Sequence, residues 1–178
     1  MSKHKPRRLD FVIDKLSSSI EHIGTGKIFD TRLVQLYPSD SDKISSLDWQ
    51  FDWIQELGSN DREVYALTTL EEPSIIQGLI SISDGHDHIF MNLLEAADFN
   101  KGSSKQYDGV AGNLVAFACH RSFQCGYNGV VSFFSKTKLV EYYEKFIGAK
   151  RIAGIRMFID TDVALRYVNQ YHKSLHYV

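Results

Sequence analysis

The sequence predicts a mixed α/β fold, an antiparallel meander followed by a β-α-β-α-β run, with helices on both faces of one sheet. Three observations carry this prediction. Three extended apolar segments, 63–70, 74–83 and 87–96, follow one another with only turn residues between them. From residue 109 onward, apolar residues recur at helical spacing and alternate with short strand-like runs. The chain has 178 residues, the length of about one domain, and no Pro/Gly/Ser-rich linker divides it.

Leu9, Val12, Leu16, Ile20 and Ile23 recur at spacings of 3, 4, 4 and 3. That spacing predicts an amphipathic helix, stopped by Gly24 and Gly26. Residues 27–37 are rich in strand formers and end at Pro38. Residues 39–48 are polar and suit a short helix or loop. Trp49, Phe51 and Trp53 alternate like a strand, while Trp49, Trp53 and Leu57 fit one helix face. A strand over 51–56 is the preferred reading, closed by a turn at Gly58–Asp61.

In the meander, Val64, Ala66 and Thr68 share a face, and Asp84-Gly85 is a strong hairpin dipeptide. Residues 97–108 are polar and loop-like. A helix begins at Gly109 or Val110 and runs to about Gln124, burying Val110, Leu114, Phe117 and Ala118, with Gly126 as its stop. A strand at 129–134 makes 88–134 a crossover unit. A helix over 137–146 stops near Gly148. A strand over 151–159 alternates Ala153, Ile155, Met157 and Ile159. A last helix runs from an Asp160/Thr161 cap to about His172.

Lys plus Arg number 20 against 22 Asp plus Glu, with 43% hydrophobic and 24% charged residues. This is the balance of a globular chain, not of a disordered or collagen-like one. Lys3, Lys5, Arg7 and Arg8 concentrate positive charge at the start and leave a mildly acidic body. That body does not suit nucleic-acid binding, and the basic tail reads as a solvated terminus. No apolar run approaches the ~18 residues that cross a bilayer, and no secretory h-region follows the basic start. Two cysteines, Cys119 and Cys125, form no disulfide framework, which points to a reducing, cytoplasmic compartment.

The candidate functional segment is Gln106-Tyr-Asp-Gly109-Val110-Ala111-Gly112-Asn113, between a strand and a helix. Glycine lets the backbone approach a ligand closely. The first-turn N–H groups of a helix lack intrahelical partners, and the positive end of the helix dipole favours an anion. Phosphate or pyrophosphate is the natural ligand. The alternative is that Gly109 and Gly112 simply let the helix pack on the sheet.

In these residues and their order the sequence resembles the GNAT superfamily of acyl-CoA-dependent N-acetyltransferases. The superfamily signature is Gln or Arg, two residues, Gly, one residue, then Gly or Ala, at this strand-to-helix turn; Gln106, Gly109 and Ala111 match it. Tyr143-Glu-Lys-Phe-Ile-Gly148 resembles the late Tyr-Glu-Lys-x-Gly segment, with one extra residue. The glycine in 75–80, IIQGLI, resembles that of the third strand. The resemblance covers roughly 27–170. It implies a GNAT-like domain over 26–178, preceded by the basic tail and helix of 1–25.

The resemblance further implies acetyl-CoA as co-substrate, no metal, and direct attack of an amine on the thioester. The acyl-CoA would lie in a wedge between the strand ending near Glu95 and the strand at 129–134. Amides of 109–113 (Gly109, Val110, Ala111, Gly112, Asn113) would hold the pyrophosphate with Gln106. Backbone at Leu94 to Ala96 would pair with the pantetheine. Glu95 would take the amine proton and Tyr143 would protonate the thiolate, with Tyr142 in reserve. A regular strand would place Met91, Leu93 and Glu95 on one face. The bland readings are an exposed strand-end carboxylate for Glu95 and a core residue for Tyr143, on one face with Leu139 and Phe146.

Asp108 before the phosphate loop would repel an anion, with Lys101 and Lys105 available to offset it. Lys136 reads as solvated. His86-Asp87-His88 reads as a polar hairpin tip rather than a metal site, and Cys119 as core. Trp49, Phe51 and Trp53 fit core packing or the amine site. The expected partner is a small-molecule or peptide amine acceptor, with no membrane or nucleic acid, and with a homodimer as an open alternative to the monomer. The competing functions are a catalytically inactive acyl-CoA-binding module and a protein-interaction module on the same fold.

Overall fold

Strand-forming segments from both halves of the chain are gathered into one nine-stranded sheet. The computed structural model describes residues 9, 19–45 and 48–171. In chain order the elements are β1 (Ser19–His22), β2 (Ile28–Leu36), α1 (Ser41–Ser45), α2 (Trp53–Leu57), β3 (Glu63–Thr69), β4 (Gly78–Asp84) and β5 (Ile89–Ala96). They continue with β6 (Tyr107–Asp108), α3 (Val110–Gln124), β7 (Val131–Phe134), α4 (Val140–Tyr142), β8 (Lys150–Ala153), β9 (Arg156–Ile159) and α5 (Thr161–Tyr171).

The nine strands are ordered β6-β1-β2-β3-β4-β5-β7-β9-β8. β2 to β5 form the expected antiparallel meander. β5 and β7 pair in parallel, and α3 is the crossover between them. The larger core lies on the α3 and α5 face, where Leu114, Val115 and Ala118 meet Val163, Ala164 and Tyr167. A smaller core on the other face joins Ile44 of α1 and Trp53 and Leu57 of α2 to Val64, Leu79 and Leu93.

Four expectations change. Ser19–His22 is a strand, not the end of a helix: it pairs with β2 on one side and β6 on the other. Residues 10–18 of the expected helix lie outside the described residues, and Leu9 makes an isolated parallel bridge to Ser135. The 51–56 strand is instead helix α2, because the Asp52 side chain accepts from the Gln55 N–H at 3.0 Å and caps it. The single strand over 151–159 is a hairpin, β8 and β9, turning at Gly154, whose φ is +56°. The 137–146 helix breaks into a 3₁₀ turn, the short α4 and a π turn over Tyr143–Ile147.

Candidate active site

β5 and β7 run together for two residue pairs, Ile89↔Val131 and Phe90↔Ser132, and then part. The cause lies on the other edge of β5. Its register with β4 shifts between Ser81↔Leu93 and Ile82↔Met91, so Asn92 is an extra residue. A bulge bends its strand and increases its twist, here at the point where the β5–β7 ladder stops. It also corrects the expected alternation. Leu93 and Glu95 share the α2 face, while Met91 joins Leu94 in the larger core.

The N-terminus of α3 follows β5 through a stapled loop. The Asn100 side chain donates to the Gln77 carbonyl at 3.1 Å and to its side-chain oxygen at 2.9 Å, and accepts from the Tyr107 N–H. Gly109 caps α3 with φ +96°, and a Cβ there would come 3.0 Å from the Ser19 carbonyl. Both facts demand glycine. Gly78 on β4 does the same for packing, since a Cβ would come 2.8 Å from Val110 Cγ1. The packing reading therefore holds for Gly109.

In the first turn, the Asn113 N–H donates to the Gly109 carbonyl at 3.1 Å. The Asn113 side chain donates to the same carbonyl at 2.7 Å and accepts from the Thr31 hydroxyl at 3.1 Å. This places the Asn113 amide inside the helix ladder. The N–H groups of Val110, Ala111 and Gly112 come before any intrahelical acceptor. The Gln106 main chain is tied to Phe99 and Ile23 while the residue is exposed. Asp108 is ion-paired with Lys105 at 2.8 Å, as the offset requires. Lys101 is directed elsewhere.

Lys101 goes to Glu95, which is buried at 3% exposure and so is not an exposed strand-end carboxylate. Its Oε1 accepts from the Gln50 N–H and the Lys101 ammonium, both at 2.7 Å. Its Oε2 accepts from Trp53 Nε1 at 2.7 Å and the Phe51 N–H at 3.3 Å. A carboxylate offers about four lone-pair sites, and four donors meet them. Glu95 therefore anchors the Gln50–Trp53 segment to the end of β5. The sequence did not reveal the three donors of the Gln50–Trp53 segment, because they lie more than forty residues away. It also missed Glu56, a second buried carboxylate, held by Arg62 at 2.6 Å and the Ser81 hydroxyl at 2.7 Å.

Tyr143 lies fully buried on the other face, edge-on to Phe133 of β7 and to Tyr142, with ring centroids 5.5 Å apart in each case. It begins the π turn, and the Gly148 N–H bonds back to its carbonyl. A π turn holds one residue more than an α turn, which accommodates the extra residue before Gly148. Phe146 is thereby turned outward to 58% exposure, so the expected shared face of Tyr143 and Phe146 is not formed. Tyr142 is half-buried.

At the hairpin tip, His88 Nδ1 lies 2.6 Å from the Asp87 carboxylate. Among the described residues no three His, Cys, Asp or Glu side chains come together as a metal site. Cys119 is buried in the larger core, and burial pushes its thiol up. Among the described residues no helix is long and apolar enough to cross a membrane.

The crystal structure of AtaTR bound with acetyl-CoA superposes with a TM-score of 0.53 at 14% identity, over 76% of this chain and 96% of that one. Mutant forms of the spermidine/spermine N-acetyltransferase SpeG from Vibrio cholerae give 0.52 at 15% identity, over 78% and 99%. The chain has the GNAT fold. A bacterial toxin superposes at 0.54 with 9% identity, over 84% and 98%. No family model and no curated protein matches the sequence. At these identities the GNAT likeness concerns the backbone path, and each side chain's role rests on its own surroundings.

Proposed function

We propose that the chain is an acetyl-CoA-dependent N-acetyltransferase acting on a primary amine. The observation that supports this best is the parting of β5 from β7 beside the N-terminus of α3. Beyond Phe90 the β5 edge no longer pairs with β7, and it suits the two amides of a pantetheine arm. The amides of Val110, Ala111 and Gly112, at the positive end of a 15-residue helix, suit the pyrophosphate.

The amine attacks the thioester carbonyl, the new C–N bond forms, and the C–S bond breaks. Two protons must move. Glu95 receives the amine proton at Oε1 once Lys101 swings aside, since the other three donors are main-chain or indole groups of the anchored segment. Tyr143 gives its proton to the departing thiolate. Holding the two reactants in the gap supplies the orientation on which direct transfer depends.

One observation favours a second reading, a catalytically silent acyl-CoA-binding module: all four lone-pair sites of Glu95 are engaged. Thermal unfolding with acetyl-CoA, and free CoA as control, tests what the two readings share. At ligand 100-fold above Kd, stabilisation of about 2.7 kcal/mol raises Tm by roughly 5–11 °C for a chain of this size. No rise at millimolar ligand refutes both. Turnover of an amine panel that Glu95→Gln abolishes, with acetyl-CoA binding retained, separates the enzyme from the silent module.

A further inference from the structure

The gap between β5 and β7 already holds a piece of the chain. The Leu9 N–H donates to the Phe134 carbonyl at 2.6 Å, and its carbonyl accepts from the Lys136 N–H at 3.1 Å. These two bonds make the parallel bridge from Leu9 to Ser135. The edge of β7 that Leu9 takes is the one facing β5. On that edge the Val130 carbonyl accepts from the Ile89 N–H at 3.0 Å. Phe134 lies four residues on, and main-chain groups of a strand face the same edge at every second residue. The opposite edge belongs to β9, where the Ser135 N–H donates to the Ile155 carbonyl at 2.9 Å.

The last β7 carbonyl, of Phe134, and the Lys136 N–H just past the strand are therefore satisfied by Leu9. Its side chain is 1% exposed and belongs to the larger core, with Phe133 and Tyr143. Leu9 acts as a one-residue strand wedged where the ladder opens.

We propose that Leu9 is a built-in competitor for the pantetheine arm of acyl-CoA, so that the gap admits the co-substrate only when Leu9 leaves it. The proposal rests on the acetyl-CoA reading of the gap. A pantetheine arm is a narrow, extended chain with two amides, and it makes the same kind of strand-edge hydrogen bonds that Leu9 makes. Both need the space between β5 and β7. The arrangement is autoinhibited, and apparent affinity is reduced by the fraction of molecules with Leu9 seated.

Acetyl-CoA titrations by calorimetry on three full-length chains test this: the wild type, Leu9→Gly, and the double variant Leu9→Cys/Ser135→Cys. Leu9→Gly removes the apolar anchor and keeps the charge of the tail. If Leu9 is seated about nine-tenths of the time, this change tightens the apparent Kd about ten-fold. The paired cysteines lie on bridged residues, where Cα spacing suits a disulfide. Oxidation locks Leu9 in place and abolishes binding, dithiothreitol restores it, and the wild type responds to neither treatment. The cross-linked pair keeps the test valid if Leu9→Gly does not fold.

An unchanged Kd in Leu9→Gly, with equal binding by the oxidised and reduced pair, overturns the competition and leaves the acetyl-CoA reading standing. Failure of the cysteines to join under oxidant shows that Leu9 is not seated, and overturns it too. Absence of acetyl-CoA binding in every chain, reduced or oxidised, overturns the acetyl-CoA reading and the competition with it.

Discussion

The Lys101 ammonium donates to Glu95 Oε1 at 2.7 Å, joining a side chain one-third exposed to one that is almost wholly buried. Glu95 keeps three further donors from the Gln50–Trp53 segment. Two consequences can be measured. Glu95→Leu leaves those donors and the Lys101 ammonium facing an apolar group, and the loss of unfolding free energy in urea is about 3–5 kcal/mol. Glu95→Gln keeps the volume, and its amide oxygen accepts from two of the four donors. Steady-state kinetics with an accepted amine then show kcat lowered about 100-fold or more, with acetyl-CoA affinity within a factor of two or so. Unchanged kcat removes Glu95 from proton transfer.

Gly109→Ala tests the cap of α3. Its φ of +96° and the Ser19 carbonyl 3.0 Å from any Cβ both oppose a side chain. A left-handed conformation alone costs an L-residue about 1–2 kcal/mol, a fall of roughly 2–8 °C in Tm by thermal scan. The substitution also displaces the first-turn amides, so acetyl-CoA binding weakens by more than the stability loss explains. A variant with wild-type affinity would detach the phosphate from this helix end.

Tyr143→Phe removes a hydroxyl and keeps the edge-on ring contacts with Phe133 and Tyr142. Rapid-quench and steady-state measurements are expected to show kcat reduced about 100-fold or more, with KM for acetyl-CoA little changed. Tyr142→Phe leaves kcat near wild type. The reverse pattern would move the acid role to the half-buried tyrosine.

His120 on α3 predicts an acid-sensitive step in stability. Burial first, and the Arg121 charge second, hold its imidazole below the usual value of 6.5. The unfolded chain therefore binds the proton more readily than the folded one, and stability rises with pH across that window. As pH falls below about 6.5 the folded state loses stability, until pH passes the lowered folded value. Thermal scans from pH 7 to pH 5 should show Tm falling in the wild type. His120→Gln flattens that slope, and an unaltered slope assigns the acid sensitivity to other groups.

Features set by local chemistry were legible in the sequence. The meander was legible because Glu63–Thr69, Gly78–Asp84 and Ile89–Ala96 carry strand formers separated by strong turn residues. α3 was legible from end to end because Gly109 and Gly126 both take positive φ and bracket one helical pattern. The phosphate-binding candidate came with it, being a helix terminus. Features that depend on a partner distant in sequence stayed hidden. The 49–57 aromatics fit two periods, and only the Asp52 cap and the buried Glu95 make them a helix. Ser19–His22 is a strand because β2 and β6 flank it, not because of its own residues. The bulge at Asn92 leaves no mark on composition, yet it sets which side chains face which core and where β5 leaves β7. Leu9 had helical spacing and became a strand bridge, because the opening between β5 and β7 left two main-chain groups for it to satisfy. Short-range spacing selects elements, and pairing between remote segments decides edges, bulges and the surroundings of a buried charge.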